Sequence, residues 1–275
     1  LRKSTMKKSN SYLGKILLGI FVFLILFPIL TMIVWVFTER WAWPNLLPQV
    51  FSTRALDEVF GRKEELIQLF ASSIFISAVV GVLSVMIGTM TARALVLYDF
   101  AGKGFFYFLS MLPFLVPSTV FAMGIQVSFI RWGLSNTVTG VVVAHTICSL
   151  PYAVHLMIEG TEAVGNKLEE QARVLGAGPW KAFFKVTFPM LMPVMLASMS
   201  MSYIVSFSQY FITLMIGGGS VKTFAIVMVP YLQGGDRNIA SIYSMIFLGI
   251  TLIVFAIFEG ISKLWTKNGS GEYYT

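Results

Sequence analysis

Six long apolar stretches divide this chain of 275 residues, and they restrict its fold more than any other feature. They cover roughly residues 16–37, 67–92, 105–130, 137–158, 190–215 and 240–263. A helix that crosses a bilayer needs about 20 mostly apolar residues, because its backbone must satisfy every hydrogen bond internally. None of the stretches alternates as the strands of a membrane barrel do. We therefore predict an all-α membrane protein with six transmembrane helices.

The composition supports this prediction. Hydrophobic residues make up 56% of the chain and charged residues only 12%, whereas a soluble domain carries about 25% charged residues. The net charge of +7 does not come from a basic cluster on a polar domain, so we expect membrane lipid and no nucleic acid as a partner. The single cysteine, Cys148, lies in an apolar run and is interpreted as a packing residue.

Lysine and arginine counts orient the predicted spans, because basic residues concentrate in cytoplasmic segments. With the N-terminus in the cytoplasm, thirteen basic residues fall inside: Arg2, Lys3, Lys7, Lys8, Lys15, Arg93, Lys103, Lys167, Arg173, Lys181, Lys185, Lys263 and Lys267. Seven fall outside: Arg40, Arg54, Arg62, Lys63, Arg131, Lys222 and Arg237. The pattern predicts a multi-pass protein of the bacterial plasma membrane with both termini in the cytoplasm.

These spans define the predicted organisation of the chain. A cytoplasmic tail (1–15) precedes one six-helix domain (16–265), and a second cytoplasmic tail (266–275) follows it. The first apolar run exceeds a signal-peptide core and lacks a small-residue cleavage site, so we expect a retained span. The chain begins with leucine, which leaves its true start residue open.

Three loops have distinct patterns. The outer loop at about 38–66 is long, carries Trp41 and Trp43 for the membrane interface, and predicts a short helix from Asp57 to Glu65. The glycine-rich loop at 217–239 predicts turns and partial flexibility. The third loop, at about 160–188 between spans four and five, is polar and faces the cytoplasm in this orientation.

The cytoplasmic loop contains start and stop signals for two short helices. Asn166 suits an N-cap, and Glu169 stands where the second residue of a capping box would be. Gly176 suits a left-handed C-cap, and Pro179 suits the first position of a second helix. An apolar stripe follows the first helix: Val164, Leu168, Ala172 and Leu175. Such a pair could insert into a groove of a partner protein or lie on the lipid surface, and helix patterns alone leave both interpretations open.

The spacing of residues within this loop favours the partner. Glu170, Ala172 and Gly176 are followed, after nine residues, by Val186-x-Phe188-Pro189. This arrangement resembles the "EAA" signature of ATP-binding-cassette importer permeases, which reads E-A-A, three residues, G, nine residues, I-x-L-P. Gln171, Val186 and Phe188 depart mildly from that pattern. The resemblance covers the whole chain and implies the type I importer permease (MetI-like) fold.

In that family the loop forms coupling helices that dock in a cleft of an ATPase subunit. The resemblance implies this role for the segment from Glu162 to Phe188, whereas Trp180 and Phe183 are our own choice as apolar anchors. The predicted coupling residues are Glu169, Glu170, Ala172, Arg173, Gly176, Trp180, Phe183 and Pro189. The sequence contains no phosphate-binding G-x-x-x-x-G-K-[ST]. We therefore expect a chain that is no enzyme and binds no cofactor, with ATP and Mg used by the partner ATPase.

The resemblance also implies a set of partners: a second and different permease, two ATPase subunits and an extracytoplasmic substrate-binding protein. Within the class, the chain is similar to the spermidine/putrescine, thiamine, ferric-iron and aminophosphonate permeases. That similarity rests on short segments after spans two and five: Ala92-Arg93, 100–103, 206–210 and 217–219. A small polar solute of these kinds is the expected substrate, and specificity is expected to lie largely with the binding protein.

Polar residues inside the predicted spans are candidates for a translocation path. Gln126 lies in span three, and Ser202, Ser206, Gln209 and Thr213 share one helical face of span five. The alternative is that they join helices by hydrogen bonds. His145 is interpreted as a packing residue.

Two other classes of membrane protein require residues that these spans lack. A secondary transporter or channel without an ATPase would need an acidic residue at mid-span for ion coupling, and a membrane enzyme would need a cluster of histidines and acids. The spans offer neither.

Overall fold

The computed structural model describes the backbone of residues 11–272 and the side chains of residues 14–265. The basic residues of the predicted N-terminal tail, from Arg2 to Lys8, lie outside the described residues, as do residues 273–275. The helices are α1 (Ser11–Val36), α2 (Arg54–Gly61), α3 (Lys63–Leu97), α4 (Lys103–Leu115), α5 (Ser118–Arg131), α6 (Val138–Val164), α7 (Lys167–Val174), α8 (Pro179–Ala182), α9 (Phe188–Phe207), α10 (Phe211–Gly217), α11 (Phe224–Gly234) and α12 (Arg237–Glu272). A π-helical turn (Phe183–Thr187) joins α8 to α9, and two strands, β1 (Thr38–Arg40) and β2 (Val50–Phe51), form an antiparallel pair.

Five of the described helical segments are long and apolar enough to cross a membrane: Gly14–Val36, Lys63–Leu97, Val138–Val164, Pro179–Phe207 and Arg237–Trp265. The remaining predicted span, span three at 105–130, is broken, because α4 and α5 meet at an angle of 110°. Val116, between them, is extended (φ −98°, ψ 123°). Steric conflict with the ring of Pro117 disfavours a helical conformation for the residue before it. The sequence predicted one span here, and the structure divides it into two helices that count as one bent span.

The predicted span five is also shorter than expected. α9 ends at Phe207, and α10 starts only at Phe211. At the break, the Ser208 hydroxyl donates to the Val205 carbonyl at 3.0 Å. Local bonds of this kind compete with the helical ladder. The residues proposed as one continuous face, from Ser202 to Thr213, therefore belong to two helices.

The loops and the C-terminus contain more regular structure than expected. The short strands β1 and β2 lie in the outer loop and leave the predicted all-α fold unchanged, and α3 begins at Lys63, before the predicted end of that loop. The turn at Gly218 and Gly219 has the positive φ of a glycine turn, but α11 occupies most of the remaining 217–239 loop. α12 runs to Glu272, so helix replaces most of the predicted tail at 266–275.

The described chain divides into two compact units. Within the described residues, one unit comprises those up to 63 together with 231–246, and the other comprises 64–230 and those from 247 onward. In the second unit α6 packs along α9, and an apolar core forms where α3, α5, α6 and α10 meet around Val80, Val141 and Ile212. Gly88 lets α3 approach α6, because a Cβ there would lie 3.0 Å from the Cβ of Ala153. In the first unit α1 exposes apolar side chains all round, as a lipid-facing helix does.

Candidate functional site

The loop between α6 and α9 (residues 165–187, the α6–α9 loop) turns sharply at Gly176. The Ala177 N–H donates to the Ala172 carbonyl and the Gly176 N–H donates to the Arg173 carbonyl, both at 3.0 Å. These two bonds form a Schellman motif, which ends a helix on a left-handed residue. Gly176 has φ +93°, a conformation that costs a residue with a Cβ about 1–2 kcal/mol. Gly176 thus ends α7, and Pro179 starts α8, as predicted.

The start of α7 differs from the prediction. Asn166 precedes the helix, but its side chain makes no capping bond and its backbone is already helical (φ −112°, ψ −7°). An N-cap residue that binds the next turn normally has an extended backbone. Instead, Asn166 Nδ2 donates to Glu170 Oε1 at 2.6 Å. The predicted capping box was wrong, because Glu169 turns away from Asn166.

Glu169 joins three separate segments of the chain. One of its carboxylate oxygens, Oε2, accepts a hydrogen bond from Arg93 Nη2 at 2.8 Å and another from Thr187 Oγ1 at 2.6 Å. Arg93 lies near the end of α3 and Thr187 in the π-helical turn. The side chains of Arg93 and Glu169 are only 15% and 13% exposed. A charge-assisted pair shielded in this way fixes the α6–α9 loop to the end of α3.

Aromatic rings surround this ion pair. The Arg93 guanidinium lies 4.9 Å from the centroid of the Phe183 ring, within the range of a cation–π contact. Phe183, one of the two predicted anchors, is half-buried and supports Arg93 through this contact. Trp180, the other predicted anchor, is 75% exposed and stacks on Phe184 with ring centroids 6.1 Å apart.

Two residues beside Gly176 are the most exposed large apolar side chains of the loop. Val174 and Leu175 are each 88% exposed. Leu175 belongs to the apolar stripe that the sequence predicted, whereas Val174 was not singled out at all. Together with Trp180 they form what we call the exposed trio (Val174, Leu175, Trp180). The position of Val174 and Leu175 at the end of α7, directly before Gly176, is the signal in the sequence that could have identified both as exposed.

The other predicted coupling residues fall into two groups. Glu170, Arg173 and Gly176 are exposed on the loop, whereas Ala172 and Pro189 are half-buried. Pro189 lies in the first turn of α9, as predicted. Its carbonyl has no helical partner because Pro193, four residues on, has no N–H. Trp265 Nε1 donates to this carbonyl at 3.1 Å and so connects α12 to the base of the loop.

The predicted path residues of span five surround the break between α9 and α10. Ser202, Ser206 and Thr213 are buried. His145 bridges two of them, with Nδ1 2.9 Å from Ser206 Oγ and Nε2 3.0 Å from Thr213 Oγ1. Because the Thr213 hydroxyl donates to the Gln209 carbonyl, it must accept from Nε2–H of His145. His145 therefore connects α6 by hydrogen bonds to both sides of the break.

Two predicted path residues have free amide groups. Gln126 on α5 and Gln209 at the α9–α10 break are both half-buried. Neither side chain has a hydrogen-bond partner among the described residues. The Ser202 hydroxyl is also buried without a partner in this part of the chain. The structure thus divides the five predicted path residues into two groups. Ser206 and Thr213 each form a hydrogen bond with His145, whereas Gln126, Gln209 and Ser202 have polar side-chain groups without a partner among the described residues.

The known proteins that this chain resembles belong to transport systems. The molybdate/tungstate transport system permease protein WtpB of Pyrococcus abyssi is 24% identical over 191 residues, which is 70% of this chain and 76% of the relative. The spermidine/putrescine transport system permease protein PotC of Escherichia coli (strain K12) is 22% identical over 209 residues, 76% of this chain and 79% of the relative. A crystal structure of a bacterial ABC transporter involved in the import of the acidic polysaccharide alginate contains a chain with the same fold. The two share a TM-score of 0.71 and 18% identity, over 90% of this chain and 94% of that one.

The apolar spans, the two-helix loop with its fixed spacing and the named relatives define the class: this is the permease subunit of an ATP-binding-cassette importer. The chain belongs to the family of binding-protein-dependent transport system inner membrane components, which it matches over residues 84–265. It is a multi-pass protein of the inner membrane, with the MetI-like fold that the sequence predicted. Members of this family are permease subunits and not themselves enzymes.

Proposed function

We propose that this chain forms half of the translocation path of a heteromeric importer. The second half would come from a different permease. Two ATPase subunits would hydrolyse ATP with Mg, and an extracytoplasmic binding protein would deliver the substrate. The family description names the dependence on a binding protein. The basic residues place both ends of the chain and the α6–α9 loop in the cytoplasm in this proposal.

The α6–α9 loop is the proposed docking site for the ATPase. The observation that supports this most strongly is the exposed trio. Its three apolar side chains are exposed on a loop that the hydrogen bonds of Glu169 to Arg93 and Thr187 hold in place. Exposed apolar residues on a structured loop mark a contact surface. The Arg93–Glu169 pair, with Thr187, would then carry a displacement of the loop to α3 and α9. Glu169 and Phe183 would support the loop from inside through their contacts with Arg93. Glu170 and Arg173 would form a polar rim around the exposed trio.

Retention of the ATPase during purification tests this role. In the double variant Val174→Gln, Leu175→Gln we expect retention to fall at least about tenfold, since two apolar side chains would lose burial of roughly 1.5 kcal/mol each. Gln171→Ala changes an exposed residue of the same helix and serves as the control. Equal retention by wild type and the double variant would show that the ATPase binds elsewhere.

The second part of the proposal concerns the path. Gln209 and Gln126 have unused amide groups, and Ser202 has an unused hydroxyl, which suits contact with a passing polar solute. Ser206 and Thr213 would instead shape the path through their bonds to His145. We expect Gln209→Ala to change uptake or transport-coupled ATPase activity without loss of assembly. No change in either activity would favour a packing role.

The substrate in this proposal is a small polar solute. WtpB is named for oxyanions, PotC for polyamines, and the structural neighbour for an acidic polysaccharide, so the relatives agree on the transport mode but differ on the cargo. A screen for solutes that stabilise the binding protein co-purified with this chain would identify the cargo. A solute that stabilises the binding protein but is not taken up by the transporter is not the substrate.

A further inference from the structure

A cavity of about 600 Å³ lies where α1 ends and α12 begins, within the compact unit that contains both helix ends. Its walls come from the segment that leaves α1, the start of α2 and the Gly234-Gly235-Asp236 turn before α12. The volume falls within the range of small-molecule sites. The predicted coupling and path residues do not line it, so the proposed transport function leaves this cavity unexplained.

Three arginines line the cavity: Arg40, Arg54 and Arg237. None of them forms an ion pair with any described residue. The guanidinium of Arg237 lies 5.3 Å from the centroid of the Trp35 ring. Trp35 in turn stacks on Trp41, with centroids 5.1 Å apart. A guanidinium that stacks by its face keeps its N–H edges free to donate.

The aromatic stack is itself held in place. Trp41 Nε1 donates to the Asn45 carbonyl at 2.9 Å, which fixes the ring at the end of the stack. Arg237 is therefore positioned before any ligand arrives. A preorganised donor binds more tightly, because less side-chain freedom is lost on binding.

Two carboxylates, Glu39 and Asp236, also line the cavity. Asp236 is already engaged, since its Oδ1 accepts from the Ile239 N–H at 3.3 Å in the first turn of α12. Glu39 is exposed and forms no ion pair with the described residues. The lining therefore carries three guanidinium groups and two carboxylates, and its charge balance is positive even though Asp236 remains charged.

We infer that this cavity binds a phosphate-class anion, held by Arg40, Arg54 and Arg237. Arginine forks match the oxygens of phosphate and donate two parallel hydrogen bonds. Two sources supply this chemistry: the phosphodiester of an anionic lipid headgroup and a free phosphate. The surroundings suit a headgroup, because both helices at the cavity are of span length and Trp43, on its wall, is 91% exposed.

Binding can be measured on the full-length chain reconstituted in nanodiscs. One arm compares phosphatidylglycerol with phosphatidylcholine by native mass spectrometry, counting retained lipid. The other arm titrates inorganic phosphate against chloride and follows tryptophan fluorescence, since three tryptophans line the cavity. Both arms use wild type, the triple variant R40Q/R54Q/R237Q, and R62Q as the matched control. Arg62 belongs to the same unit but pairs with Glu58 outside the cavity.

We expect the triple variant to bind the anion at least about tenfold more weakly, while R62Q binds as wild type does. Preference for phosphatidylglycerol alone identifies a lipid site, and response to phosphate alone identifies a site for a soluble anion; either supports the inference. Wild type that prefers neither anion overturns it, as does equal binding by wild type and the triple variant. The single variant R54Q, at an exposed position, repeats the comparison with little risk to folding.

Discussion

Replacing Glu169 by alanine would leave the Arg93 guanidinium without its carboxylate and the Thr187 hydroxyl without its acceptor. Removing one partner of a buried ion pair costs about 3–5 kcal/mol, and the slight exposure of this pair places it near roughly 3 kcal/mol. For a domain of this size, such a loss lowers the melting temperature by about 6–12 °C. Glu169→Gln keeps an acceptor oxygen and loses only the charge, so we expect a cost of about 1 kcal/mol.

A double-mutant cycle isolates the interaction. Arg93→Ala together with Glu169→Ala should cost less than the sum of the two single changes, by roughly 2 kcal/mol, because the second change removes a charge that is already unpaired. Thermal unfolding of the purified chain measures this difference. The Lys103–Asp99 pair is the control: it is exposed, with side chains 37% and 99% accessible, and should show no measurable coupling. Additive effects of the Arg93 and Glu169 changes would refute the proposed internal tie.

Three further predictions each concern a single residue. Gly176→Ala should lower loop stability by about 1 kcal/mol while Gly178→Ala has little effect, because only Gly176 has positive φ and a Cβ added at either glycine would meet no atom within 4 Å; thermal stability and ATPase retention measure both, and equal effects would contradict the account. His145→Ala should destabilise the chain by roughly 3 kcal/mol, since it empties a buried site and removes the hydrogen-bond partner of the Ser206 hydroxyl and one of the two partners of Thr213, whereas the exposed His155→Ala should change little; equal melting temperatures would be the contrary result. Trp265→Phe keeps an aromatic ring but removes the donor to the Pro189 carbonyl, so we expect a loss of about 1 kcal/mol; an unchanged melting temperature would show that this bond contributes nothing.

Sequence reasoning succeeded where a residue determines its own backbone. Gly176 ended α7 and Pro179 began α8 because their conformational preferences are local. The long apolar runs likewise gave the spans, since length and hydropathy are sufficient for a membrane helix. The break at Val116 could have been predicted from Pro117, because the effect acts on the immediately preceding residue.

The interior of the loop could not be predicted in this way. Whether Glu169 or Glu170 faces inward depends on the position of Arg93, which is 76 residues away in the sequence. The exposure of Leu175 depends on how the Schellman turn directs the end of α7, and helical periodicity does not contain that information. The hydrogen bonds of His145 depend on the break in span five, and the hydropathy of that apolar run gives no sign of the break. Each of these features arises from contacts between distant segments.

The central claim is that the α6–α9 loop contacts an ATPase through the exposed trio, and site-directed photo-crosslinking tests it most directly. A photoreactive phenylalanine analogue would replace Leu175 in native membranes, and the same analogue at Phe75, a 62% exposed position on α3, would serve as the control. We predict a crosslink from position 175 to a protein with the phosphate-binding G-x-x-x-x-G-K-[ST] sequence, and none to that protein from position 75. Crosslinks from position 175 to lipid alone, in membranes where transport is active, would contradict the account and favour a loop that lies on the membrane surface.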